Sequence, residues 1–147
     1  MNPKLTTCLR AAALLAITLL FLMVWGFTGL GKVIGGPPEW LVEKFGPTIL
    51  AKFPGVTATF WLLAIGEVLA FGLAAASLMR GEFLGKRPPM LLAAMLAWSL
   101  FIFVQLGFGQ WLTSEFNATQ QLFMYFCGTL LALAFVAPEL VARRNTD

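Results

Sequence analysis

The chain has 147 residues, of which 59% are hydrophobic and 12% charged, with a mean hydropathy of +0.84 and a net charge of +3. Soluble domains carry about 25% charged residues, and a chain long enough for only one domain has too little interior to hide this much apolar surface. A water-soluble globule is therefore excluded. The absence of histidine also removes His-ligated haem, the common zinc sites and histidine acid–base catalysis.

Residues 11–31 contain no charged side chain, and about 20 apolar residues are enough to cross the hydrocarbon core. The run is longer than the apolar part of a secretory signal, and no clear Ala-x-Ala site follows it. It reads as a retained first helix over about residues 10–33. Next comes "IGGPPEWLVEKFGPTILAKFPG", residues 34–55. Pro37 and Pro38 can open a helical turn. Trp40, Leu41, Phe45, Ile49, Leu50 and Phe53 then recur at roughly helical spacing, with Glu39, Glu43, Lys44 and Lys52 between them. This pattern predicts an amphipathic interfacial segment, broken near Gly46-Pro47. It serves either as a connector or as a lid or docking surface.

Residues 56–79 hold a single charge, Glu67, and residues 88–114 and 116–138 hold none. Backbone polar groups in hydrocarbon must be satisfied within the segment, so each stretch is expected to be a helix. The expected bounds are about 56–80, 88–112 and 118–141. The reading is an all-α, four-transmembrane-helix bundle forming a single integral membrane domain over residues 1–147, in contact with membrane lipid.

An even number of spans puts both termini on one side. That side carries Lys4, Arg10, Arg80, Lys86, Arg87, Arg143 and Arg144, against Lys32, Lys44 and Lys52 on the other. The bias places both termini in the cytoplasm, and the expected location is a bacterial inner membrane. It accounts for the net charge, and no basic run or stacking platform calls for nucleic acid. Cys8 precedes the first helix. Cys127 lies about 24 Å from the same face at 1.5 Å per residue, too far to bond Cys8. No Cys-x-x-Cys pair exists. No cofactor bound covalently or through a metal is expected.

Glu67 is the anomaly. A charge at mid-bilayer costs at least about 2.5–3.5 kcal/mol, so the acid should face the bundle, be paired, or carry a proton. Leu63, Gly66, Ala70, Ala74 and Ser77 make a face of mainly small residues beside it. Gly66, Ala70 and Ala74 are the packing positions there, where another helix can approach closely. Glu67 and Ser99 lie about 16 and 18 Å below the outer boundary, counted by helical rise. Lys32, Gln105 and Tyr125 lie nearer that boundary. A polar track of Lys32, Gln105, Tyr125, Ser99 and Glu67 is expected, with Ser99 and Gln105 the first partners for the acid and Lys32 a longer-reaching one. Glu67 then either fixes packing, lines a polar pocket for a small molecule such as a quinone head group, accepts protons, or is tolerated facing lipid.

Two stretches carry a family likeness. "GFTGLGKVIG" closes the first span, and "LLAIGEVLAFGLAAASLMRG" makes the second. Together they resemble the DoxX-like four-helix membrane proteins. The shared pattern is Gly-x-x-Lys (Gly29, Lys32) ending helix one, then Gly-Glu (Gly66, Glu67) in a small-residue second helix. The likeness covers about the first 85 residues. It implies similarity to subunits of thiosulfate:quinone oxidoreductase and to membrane partners of redox-protective complexes. The cysteine pairs of the related methylamine-utilisation and vitamin-K-reductase-like proteins are missing. The expected function is an integral membrane subunit or accessory protein of a larger complex or homo-oligomer, linked to quinone. The other reading is a quinone-linked oxidoreductase component with Glu67 as proton acceptor.

The charge count predicts that the thiol of a Glu43→Cys variant is labelled by a membrane-impermeant reagent from the outside only. Labelling from the inside only would reverse the topology.

Overall fold

The computed structural model describes residues 3–85 and 87–144; Lys86, counted above among the inner charges, lies outside the described residues. The described residues contain four helices long and apolar enough to cross a membrane. Among the described residues there are no strands.

The first span opens as α1 (Pro3–Trp25), passes through a π-helical turn (Gly26–Leu30) and closes as α2 (Gly31–Gly35). It begins about seven residues earlier than the apolar pattern alone predicts. Proline suits a helix's first turn, and no breaker lies between Pro3 and Ala11, so the polar start is helical too. The helix stops at Gly36, whose φ of 67° is reached cheaply only by glycine.

The connector holds a short helix, α3 (Glu39–Phe45), and a 3₁₀ turn (Ile49–Ala51). The break falls at Gly46-Pro47. Next come α4 (Val56–Met79), a 3₁₀ turn (Glu82–Leu84), α5 (Met90–Leu112) and α6 (Phe116–Arg144). Helix α4 packs against α1 and α5, and α5 packs against α6. The core joins all four through Leu14, Trp25, Ala70, Ala74, Leu96 and Val136, each at most 1% exposed. Large apolar side chains such as Leu20, Leu62, Phe101 and Leu131 face outward, as a lipid-facing surface requires.

The α4–α5 turn contains a feature absent from the sequence reading. Glu82 is 2% exposed. Its carboxylate accepts from the Ser77 hydroxyl at 2.9 Å and from the backbone N–H groups of Leu91 and Leu92 at 3.1 and 3.0 Å. Met90 N donates to Pro88 O and Ala93 N to Pro89 O. All four N–H groups at the start of α5 are thus satisfied, which a helix end in an apolar setting requires. Gly81 and Gly85, both in the left-handed region, bracket the turn that turns Glu82 inward.

Replacing Glu82 with alanine leaves those donors unpaired. It is expected to destabilise the bundle by about 1–3 kcal/mol, read as a lowered thermal midpoint by circular dichroism in detergent. An unchanged midpoint would show that the cap contributes nothing.

Candidate functional site

Glu67 lies on the buried face of α4, between Ala64, Gly66 and Ala70, and is 1% exposed. Both of its oxygens accept from Lys32 Nζ, Oε1 at 2.8 Å and Oε2 at 2.7 Å. The Lys32 side chain is 25% exposed.

The ammonium reaches the carboxylate because the two helices almost touch. A Cβ added at Gly29 would stand 3.0 Å from Val68 N and 3.1 Å from Glu67 Cβ. The backbone of α4 occupies the space that any other residue at position 29 would need. Three residues further along, Lys32 leaves the first span level with the acid. The π-helical turn lies in this stretch, and such turns recur at functional sites. Its signal in the sequence is the glycine cluster Gly26, Gly29 and Gly31, although spacing alone does not distinguish a π turn from an α-helix.

The expected polar track is divided among separate places. Ser99, first in line to meet Glu67, instead accepts from Trp25 Nε1 at 2.9 Å and donates to Met95 O at 2.8 Å. Depth along the axis put Ser99 level with Glu67, but its direction around α5 serves α1. Tyr125 is 58% exposed, and its ring packs on Phe103 with centroids 6.1 Å apart; it lines no part of the cavity below. Gln105 does line that cavity, together with Lys32. Of the five proposed polar residues, Lys32 and Glu67 form a pair, Gln105 shares a wall with Lys32, and Ser99 and Tyr125 lie apart.

The sequence reading overlooked the tryptophans as donors. Trp98 Nε1 donates to Gly66 O at 2.9 Å, at the residue just before Glu67. Trp25 ties α1 to α5 through Ser99. An indole N–H in hydrocarbon needs an acceptor, and that requirement was the available clue.

Beside Lys32 opens a cavity of about 660 Å³, within the roughly 300–1,000 Å³ typical of small-molecule sites. Thr28, Gly31 and Lys32 of the first span, Thr59 and Leu63 of α4, and Gln105 and Gly109 of α5 form its walls. The connector covers it with Trp40, Leu41, Phe45 and Leu50. Ile49 and Phe53, the other apolar residues of the same pattern, are 62% and 81% exposed. The cover packs on α4 through α3 and the 3₁₀ turn, and it reaches α5 and Glu115 as well. Phe45 packs at the position where a Gly109 side chain would begin, 3.7 Å from an added Cβ. Lys44 Nζ lies 3.3 Å from Glu115 Oε1, a solvent-facing pair worth at most about 1 kcal/mol. Lys32 is the one charged residue among the described residues that line it. Glu67 is not among them.

The chain matches no family model, and no curated protein or solved structure matches it significantly.

Removing one member of a buried ion pair strands the other, at a cost of about 3–5 kcal/mol. Lys32→Met is expected to destabilise the bundle by that order, whereas Lys32→Met combined with Glu67→Met should recover most of the loss. Thermal unfolding in detergent of the single and double variants measures this. A double variant no better than the single would mean that the two charges are not coupled.

Proposed function

We propose that the chain is an integral membrane subunit or accessory protein that holds a chain-bearing, quinone-type lipid in the cavity between the connector and the bundle. It acts in a larger membrane assembly or a homo-oligomer, in a bacterial inner membrane, with both termini cytoplasmic and the α3 end of the bundle outermost. The observation that carries the binding reading is the covered, mainly apolar cavity with Lys32 as its one charged lining residue. Such a site accommodates an apolar body and orients it by one polar contact, the usual division of labour in ligand pockets. The DoxX-like resemblance supports the quinone link, and its two motifs meet in the fold. Gly29 touches the backbone at Glu67, and Lys32 holds the Glu67 carboxylate.

The geometry favours binding over catalysis by the acid. Both Glu67 oxygens are engaged by Lys32, and the acid has no place on the cavity wall. The near-isosteric amide is also not a neutral probe of packing here. Glutamine offers Lys32 one acceptor in place of two and no charge, so Glu67→Gln perturbs a purely positional Glu67 as well.

Gentle solubilisation followed by mass spectrometry of extracted lipids tests the reading. A quinone is expected to copurify with the wild type at near-equimolar ratio. Gly31 lies on the wall with nothing within 4 Å of an added Cβ, so Gly31→Trp should fill the cavity, leave the fold intact and reduce the retained quinone several-fold. Equal retention by the variant, or only bulk phospholipid with the wild type, would refute it.

A further inference from the structure

The cavity has a cation on its wall and yet little positive charge to offer. An ammonium has three N–H donors, and two of those of Lys32 are directed at the two oxygens of Glu67. One donor is left for a ligand, on a group whose charge is already balanced within 3 Å. The other polar lining is neutral. Thr28 and Thr59 commit their hydroxyl hydrogens to Val24 O at 2.9 Å and Gly55 O at 3.0 Å, and Gln105 and Gln110 contribute amides.

We infer that Glu67 sets the charge class of the ligand: by neutralising Lys32 it makes the cavity select an uncharged, carbonyl-headed amphiphile and reject the corresponding anion. This rests on the reading of the cavity as a ligand site. A carbonyl oxygen needs one donor, and one is available. A carboxylate or phosphate must shed its water to enter a mainly apolar site, and it then meets no unshared positive charge to offset that loss. It also meets Glu67 just behind the ammonium. Glu67 is a positioning residue here, acting on the ligand through Lys32. Without it, the same lysine would present an unshared charge and three donors, which is an anion site.

Two probes that differ only at the head group test this: a bromine-labelled long-chain fatty acid and its methyl ester. Each is titrated into protein in nanodiscs of zwitterionic lipid, at alkaline pH where the acid is ionised. Binding is read as quenching of Trp40, which lines the cavity, with Trp40→Phe as the control. The wild type should bind the ester at least about tenfold more tightly than the acid, a difference of about 1.4 kcal/mol. Glu67→Gln should raise affinity for the acid by about tenfold while leaving the ester little changed. Lys32→Met combined with Glu67→Met should gain no affinity for the acid.

Equal or tighter binding of the acid by the wild type would overturn the selectivity and leave the cavity as a ligand site. A folded Glu67→Gln protein that gains nothing for the acid would overturn the role of Glu67. Should Glu67→Gln fail to fold, Glu67→Ser, which also leaves the Lys32 charge unshared, takes its place in the same comparison, and a folded serine variant that gains nothing for the acid would overturn the role of Glu67. Absence of Trp40 quenching by either probe would remove the site itself, and this inference with it.

Discussion

A single ion pair governs the arrangement of the first half of the chain. Lys32 and Glu67 stand 2.7 Å apart in a bundle whose other buried contacts are mostly between small and apolar groups. Each charge is costly there alone, and each lowers the cost of the other. Their distance is also a constraint on the backbone. A lysine at the end of one helix can grip a carboxylate on the next only if the helices approach to glycine distance, which Gly29 permits. The small face of α4, with Gly66, Ala70 and Ala74 buried, then fits between α1 and α5. The lipid contributes no hydrophobic drive between helices, so close fit and polar contacts must hold them together. Trp25–Ser99 and Trp98–Gly66 supply two more such contacts near the same level.

The spans were legible because hydropathy and charge are one-dimensional signals. Their starts and ends differ from the expected bounds by a few residues, except at Pro3, where a polar helical start has no apolar signature. The small-residue face was legible too, since its period is that of a helix. Azimuth was not. Counting residues gave Ser99 and Glu67 nearly the same depth, and they do share a level, but which neighbour each side chain meets depends on how the helices are rotated. One π-helical turn is enough to change that rotation. Spacing likewise placed Tyr125 at a plausible height and could not show that it lies on the α6 side, against Phe103. The connector's period identified it as amphipathic. That Leu41, Phe45 and Leu50 cover a cavity follows only from its path over the bundle.

The cavity and the ion pair are coupled by position. Lys32 belongs to both, bonding Glu67 on one side and bordering the open space on the other. Closing residues come from a segment that is only partly helical and is tethered by glycines of positive φ at each end, Gly36 and Gly55. This end of the bundle therefore joins a floor, set by charge pairing and close backbone contact, to a cover that packs on α4 and on Gly109 of α5 and carries one weak surface pair. Local stability is expected to differ accordingly between the two layers.

The buried Glu82 has a consequence for the opposite end of the molecule. Its negative charge is spent on the amides that open α5 and on Ser77, and almost none of the residue reaches the surface. An approaching lipid headgroup therefore does not meet an acidic residue in that turn. It meets Arg80 and Arg87, which are both exposed. Folding thus sorts the turn's charges by access while leaving their sum unchanged: the acid is withdrawn into capping α5, and the charged side chains left for a headgroup to touch are the guanidinium groups of Arg80 and Arg87.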